Sequence, residues 1–319
     1  KSNFEDRFAK TDLTFSYGNA DTLDILEEKR NEINEYFQAA GNRTFVPDSN
    51  PTEEMKKYSF SMGIAGKRGK IKIDFVDYPG EWLTDKGHRQ EIVDCMKKSS
   101  VIIVAIDTPH MMEEEGRFNE NRNLCHRTGE MLKLAFEEAG ISMSLVLFVP
   151  LKCERYLVDG RIEEVCNKTI SSYKDLIHYF KRSASKYEVA VTPIFTLGDA
   201  MFSHFERDKE TMEIKMNELS GTPEKAIYYF GDTAAKEPHP LHCEQPLVYL
   251  LVYLMQMARN AKKNEYDRGF SIFKGLLILQ QMIFRTTSER DYDGQMKTLI
   301  QALKKSGDGY RILQNPMLF

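Results

Sequence analysis

Cysteine is scarce in this sequence and is scattered along it. Only five cysteines occur in 319 residues, and no two of them are spaced as C-x-x-C. An odd number of widely separated cysteines favours neither a structural zinc site nor a disulfide framework. We therefore predict free thiols and a reducing, cytoplasmic location. The five are Cys95, Cys125, Cys153, Cys166 and Cys243.

Long hydrophobic runs are also missing. The longest is PLVYLLVYLMQMA at 246–258, which is shorter than the ~20 apolar residues that a membrane-spanning helix requires. It predicts a buried helix rather than a membrane span.

Neither sign of charge is in large excess. The 44 basic and 48 acidic residues give a formal net charge of −4. Proteins that hold nucleic acid through the phosphate backbone need a basic surface. The composition therefore argues against a nucleic-acid partner.

The pattern that is present alternates short apolar runs with helical stretches. SVIIVAID (100–107), SLVLFVP (144–150) and VAVTPIF (189–195) are separated by longer amphipathic segments. This order is typical of an α/β protein with a doubly wound, mostly parallel sheet and helices on both faces. We predict an α/β core at 1–198, an irregular insertion at 199–245, and a helical extension at 246–319 that packs on the core or forms a small subdomain.

Polar residues follow directly after several of these strands. In IKIDFVDYPGEWL, at 71–83, an apolar run ends at Asp77 and is followed by Pro79 and Gly80. Ligands of open parallel sheets bind outside the carboxyl ends of the strands, so a carboxylate there can serve a metal or a phosphate. An ordinary turn also uses Asp, Pro and Gly. Asp107 likewise ends its strand, where it can contact a bound water or cap the next helix.

These tips, taken in order, resemble a known family. P-loop GTPases have the following order along the chain: apolar strand, D-x-P-G, helix, apolar strand, helix, apolar strand and x-K-x-[DE]. DYPGEWL, IDTPHMMEEEGRFNENRN, FVPLKCERY, TPIFTLGD and CEQPLVYLL are similar to segments of the bacterial double-GTPase group and its YcjX-like relatives. The resemblance runs from about residue 12 to the end and implies a Ras-like fold.

The resemblance implies a base site. Lys152 and Glu154 stand at the family's guanine-recognition turn. The sequence departs from the family there, because Leu151 replaces the usual Asn or Thr and Glu154 replaces the usual Asp. A lysine stem can lie along a purine face, and a carboxylate can accept two N–H bonds from guanine, which adenine cannot offer as a pair. Thr196 stands where the family's last base-contacting loop lies.

The resemblance also implies a magnesium and phosphate site. Asp77 would hold Mg²⁺ through water, and the Gly80 amide would contact the γ-phosphate of GTP. Thr52, with Thr44 as the reserve, is the threonine that would close over the metal. Glu81 would orient the attacking water. Either threonine can equally well be an ordinary loop residue without a role in metal binding. Trp82, the only tryptophan, is interpreted as an anchor for the turn.

One expected element is absent. No G-x-x-x-x-G-K-[ST] phosphate cradle occurs in the 319 residues, and the first residue is Lys1 rather than Met. We expect the first strand and the cradle to lie upstream. The resulting prediction is a cytoplasmic, magnesium-dependent GTPase that binds GTP and GDP as a switch, with an effector or a second GTPase as protein partner. The alternatives are a GTPase-fold interaction module that does not hydrolyse nucleotide effectively, and an ATP-using relative.

Overall fold

The computed structural model describes most of the chain, in ranges separated by gaps, the longest of which is 264–296. The described residues are 13–38, 44–46, 54–64, 70–139, 144–196, 198–230, 239–263, 297, 301 and 309–314. The strands are β1 (Leu13–Tyr17), β2 (Thr44–Phe45), β3 (Lys56–Ile64), β4 (Lys70–Asp77), β5 (Val101–Asp107), β6 (Ser144–Leu151), β7 (Tyr187–Val191), β8 (Ala200–Phe205), β9 (Met216–Asn217), β10 (Thr222–Pro223), β11 (Ala226–Phe230) and β12 (Arg311–Gln314). The helices are α1 (Ala20–Gln38), α2 (Arg89–Lys98), α3 (Thr108–Met112), α4 (Asn119–Asn123), α5 (Cys125–Ala139), α6 (Glu154–Val158), α7 (Ile162–Ser172), α8 (Lys174–Arg182) and α9 (Gln245–Lys263).

The chain divides into two compact units. One comprises 1–29, 54–77 and 244–307, and the other comprises 30–53, 78–243 and 308–319. The predicted domains are continuous segments with boundaries after residues 198 and 245, whereas each of these two units combines separate segments. The predicted boundaries stay a prediction. Most of the predicted C-terminal helical extension, beyond residue 263, lies outside the described residues.

The first unit contains an antiparallel sheet in the order β1-β3-β4. Strands β3 and β4 form a hairpin, in which they pair antiparallel from Lys56 opposite Asp77 to Gly63 opposite Lys70. Alternation along β3 places Phe60 on one face, where its ring lies 5.1 Å from that of Phe15 and 5.5 Å from that of Phe75. Such aromatic contacts stabilise a sheet beyond the area they bury.

The second unit is built on a mixed four-stranded sheet in the order β12-β7-β6-β5. Strands β5, β6 and β7 are parallel, and β12 joins β7 antiparallel. This confirms the predicted α/β class. The interior of the sheet explains its strand composition, because every residue of β6 from Ser144 to Pro150 is buried. A parallel strand covered on both faces reads as a continuous apolar run.

One face of this sheet supports the main core. Side chains from the strands pack with buried side chains from the helices. The strands contribute Val104, Ile106, Val146, Phe148, Val189 and Val191, and the helices contribute Ile92, Met96, Leu132, Phe136, Ile177 and Phe180. Because the core is closely packed, the carboxyl ends of β5, β6 and β7 are held in fixed register.

The insertion is more regular than its sequence indicates. Strands β2, β11 and β8 form an antiparallel sheet, and β9 pairs with β10. We call the β2-β11-β8 sheet the insertion sheet. It has an aromatic core, and Arg155 Nη1 ties it to α6 by donating to the backbone oxygen of Ser203 across 2.7 Å. The core side chains are Phe118, Phe202, Phe205, Ile214 and Tyr228.

Tyr228, Tyr229 and Phe230 lie in β11. Within the described part of the chain, no helix combines the length and the apolar character that crossing a membrane demands.

Candidate functional site

Four of the residues singled out in the sequence lie where the parallel strands end. In the parallel register, Asp107 at the end of β5 stands opposite Leu151 at the end of β6, and Phe148 of β6 stands opposite Val191 at the end of β7. The loops that carry Lys152, Glu154 and Thr196 therefore emerge from the same edge of one sheet. This edge is the candidate site.

Asp107 is the centre of a charged cluster at this edge. Its side chain is 10% exposed, and it accepts hydrogen bonds from Lys152 Nζ and from His110 Nδ1, each across 2.7 Å. It also caps α3, because its carboxylate accepts from the backbone N–H of His110 across 3.3 Å. Burial alone raises the pKa of Asp107, but the Lys152 charge and the bonds from His110 outweigh it and hold the pKa well below its usual value. The carboxylate is therefore charged at neutral pH, and the predicted capping role is confirmed.

Asn123 fixes the backbone of the same residue. Its Oδ1 accepts from the Asp107 N–H across 2.8 Å, and its Nδ2 donates to the Asp107 carbonyl across 3.2 Å. The tip of β5 is thus clamped through both its backbone and its side chain.

Lys152 crosses from the end of β6 to the end of β5. Its backbone is left-handed, with φ 60°, a conformation that is uncommon for residues with a Cβ. The ammonium pairs with Asp107 and also lies 5.8 Å from the centre of the Tyr228 ring on β11. The side chain is 34% exposed. The ammonium is thus held at its end while part of the side chain reaches solvent.

Glu154 begins α6 and is almost covered, at 4% exposure. Its Oε1 accepts from Thr196 Oγ1 across 3.2 Å and from the Gly198 N–H across 3.3 Å. Gly198 has φ 75°, and a Cβ built there would lie 2.2 Å from the carbonyl oxygen of His239. Glycine is therefore required at 198, and the structure brings together Glu154 and Thr196, which sequence reasoning assigned to one base site.

The turn after Asp77 has a different character. Gly80 begins a 3₁₀ turn, Gly80–Leu83, and both Gly80 and Glu81 are exposed. A Cβ built on Gly80 has no heavy atom of the described residues within 4 Å, and its φ lies outside the left-handed region. Local packing therefore does not explain why residue 80 is a glycine.

Trp82 confirms its predicted role as an anchor. It packs against the main core, and its ring stacks on that of His88 with centroids 4.0 Å apart and planes at 14°. His88 in turn contacts Asp85 across 2.6 Å. The packing of Trp82 thus anchors the turn in which Gly80 and Glu81 are exposed.

Of the residues predicted to bind magnesium, the structure describes Asp77 and Thr44 but not Thr52. Asp77 is the exposed last residue of β4, in the first unit. Thr52 lies outside the described residues. The reserve, Thr44, is in β2 and pairs with Tyr229. Over the ranges given above, no three His, Cys, Asp or Glu side chains form a metal-binding group. Mg²⁺ on a nucleotide commonly uses only one or two protein carboxylates besides phosphates and water, and a single exposed carboxylate such as Asp77 fits that use.

Sequence reasoning missed several members of this edge, namely His110, Asn123 and Tyr228. His110 and Asn123 lie in a segment whose only sequence signal was its resemblance to the GTPase group. Tyr228 belongs to the insertion, and its sequence neighbourhood has no feature that ties it to Lys152.

No protein-family model, curated protein or solved structure matches this chain.

Proposed function

We propose that this protein binds guanine nucleotides through the carboxyl edge of the β5-β6-β7 sheet, in a Ras-like arrangement, and acts as a magnesium-dependent GTPase switch when a phosphate cradle is supplied. The observation that carries the proposal is the pair of hydrogen bonds from Thr196 and Gly198 to Glu154. They join the two loops that the GTPase resemblance assigns to the base.

Glu154 has the properties that guanine recognition needs. An ionised carboxylate accepts hydrogen bonds at both of its oxygens, which is the property that pairing with two N–H groups of a guanine edge requires. At 4% exposure the carboxylate has already lost most of its hydration and is held in one orientation. Both effects lower the cost of binding. Adenine presents an acceptor where guanine presents its ring N–H, so it fits this acid poorly.

Lys152 supplies the second element. Its ammonium is held at the end of β5, and 34% of the side chain is accessible. The aliphatic stem of a lysine offers an apolar shelf to one face of a purine.

The magnesium and phosphate part of the proposal rests on the sequence. Asp77 would hold the water shell of Mg²⁺, the Gly80 N–H would contact the γ-phosphate, Thr52 would close over the metal, and Glu81 would orient water for in-line attack. No heavy atom of the described residues lies within 4 Å of a Cβ built on Gly80, so there is room for a ligand beside this backbone. An effector or a second GTPase would read the nucleotide state.

One observation favours a second candidate, an interaction module without effective nucleotide hydrolysis. Lys152 and Glu154 both have partners within the protein, so their charges have a structural explanation. In that case the sheet edge stabilises the insertion and binds no base.

Calorimetric titration of the full-length protein with Mg-GDP and Mg-ADP distinguishes the candidates. We expect tighter binding of GDP, and a loss of about tenfold or more in Glu154→Gln, which corresponds to about 1.4 kcal/mol. Glu137→Gln, which changes an exposed glutamate on α5, is the matched control and should bind like the wild type. No binding by the wild type supports the interaction module. Equal binding of GDP and ADP removes the guanine assignment and favours an ATP-using relative.

A further inference from the structure

We propose that the insertion sheet is a wall of the base site, in which Asp107 and Tyr228 are positioning residues that fix Lys152 for the purine, so that base binding orders this sheet. The inference rests on the proposed guanine site and adds to it a coupling between the site and the insertion.

Lys152 is held from two directions. Asp107 Oδ2 accepts from its ammonium across 2.7 Å, and the face of Tyr228 lies 5.8 Å from the same nitrogen. A cation within about 6 Å of an aromatic centre is attracted by the ring quadrupole. The carboxylate comes from the parallel sheet and the ring comes from β11, so the position of Lys152 depends on both sheets.

The same cluster is joined to the core of the insertion. The Tyr228 ring contacts that of Phe202, with centroids 5.7 Å apart. The His110 ring, which donates from Nδ1 to Asp107, lies 4.9 Å from that of Phe205. A shift of Lys152 or Asp107 therefore reaches β8 and β11 through closely packed rings.

The second base residue is tied to the insertion as well. Arg155, which follows Glu154 directly, donates from Nη1 to the backbone oxygen of Ser203 across 2.7 Å. Lys152 itself contacts Tyr228 on β11, and the residue after Glu154 bonds to Ser203 on β8. Both residues that would hold the base are therefore linked to the insertion sheet. A base that fixes Lys152 and Glu154 removes freedom from the same strands, which is how binding at one place orders another.

The first experiment compares two neighbouring tyrosines. Tyr228→Leu removes the ring face beside Lys152, whereas Tyr229→Leu changes the next residue, whose side chain points to the other side of the strand and whose hydroxyl contacts Met201. We expect Tyr228→Leu to weaken Mg-GDP binding by about five- to tenfold, with tripolyphosphate binding unchanged, because the change concerns the base and not the phosphates. Tyr228→Phe keeps the ring and should recover most of the loss. Tyr229→Leu should bind both probes like the wild type.

The second experiment measures hydrogen–deuterium exchange of the wild-type protein, so it does not depend on the folding of any variant. Saturating Mg-GDP should slow exchange in 200–205 and 226–230, and tripolyphosphate alone should not. If GDP binds but leaves these amides unchanged, or if Tyr228→Leu binds GDP as Tyr229→Leu does, the coupling is wrong while the guanine site stands. If the wild type binds no GDP, both the coupling and the guanine site are wrong.

Discussion

Thr196 Oγ1 donates a hydrogen bond to Glu154 Oε1 across 3.2 Å, and this bond links the loop after β6 to the loop after β7. The backbone N–H of Gly198, in the same loop after β7, donates to the same oxygen across 3.3 Å. These two bonds hold the carboxylate in one orientation.

Thr196→Val tests this orientation. A net hydrogen bond to a charged group contributes about 1.5 kcal/mol or more, so we expect Mg-GDP affinity to fall by about tenfold while the fold is retained. Calorimetry measures the loss, and circular dichroism confirms the fold. Thr211→Val, at an exposed site in the insertion, is the control. Equal affinities of the two variants would show that Thr196 does not act on a base site.

Asp107→Asn should destabilise the protein, most of all near neutral pH. The pKa of Asp107 is held below its ordinary value, so its contribution to stability is present above about pH 4 and is lost as the pH falls further. Removing one partner of a buried ion pair costs about 3–5 kcal/mol, and the partial exposure of Lys152 reduces this to about 2–3 kcal/mol. Urea unfolding at pH 7 and at pH 3 measures both values. The gap between wild type and variant should narrow at the lower pH, and a constant gap would contradict the assignment of the ion pair.

Glu188 on β7 predicts the opposite dependence on pH. It is 4% exposed, its Oε1 has no hydrogen-bond partner among the described residues, and burial raises its pKa to about 7. The folded protein therefore holds a proton that the unfolded chain releases near pH 4.3, and stability falls as the pH rises from about 4.3 to 7.

Glu188→Gln should remove this penalty. We expect the free energy of unfolding to rise relative to wild type by about 2–3 kcal/mol at pH 8 and to change little at pH 4. Urea denaturation across this range provides the measurement. Glu137→Gln, an exposed change, should have no pH-dependent effect. A variant that is no more stable than wild type at pH 8 would contradict a buried, protonated Glu188.

Two glycine substitutions separate function from stability. Gly198→Ala introduces a Cβ at φ 75° against the backbone of His239, and we expect a loss of at least about 2 kcal/mol in the free energy of unfolding. Gly80→Ala meets open space, and its free energy of unfolding should change by less than about 0.5 kcal/mol.

The proposed γ-phosphate contact nevertheless predicts that Gly80→Ala weakens binding of a non-hydrolysable GTP analogue more than binding of GDP. Thermal unfolding and calorimetry give the two measurements. Equal effects on both nucleotides would remove Gly80 from the phosphate site.

The sequence predicted secondary-structure elements well where burial produces a regular pattern of apolar residues. The apolar run of β6 is buried from Ser144 to Pro150, and the alternating β3 pairs with β4 as a hairpin. The structure separates α4 from α5 at Leu124, whose φ is 48°. No proline or glycine stands at 119–125 to mark that position in the sequence.

The sequence by itself determined which residues end the parallel strands, and therefore that Asp107, Lys152, Glu154 and Thr196 lie at one edge. Strand direction is a local property, and parallel strands end on the same side of their sheet. Only the tertiary structure decided their partners, namely Lys152 with Asp107 and Tyr228, and Glu154 with Thr196 and Gly198. These contacts join residues far apart in the chain, and they depend on how the insertion sheet packs against the ends of β5 and β6, which no local period of hydrophobicity or charge encodes.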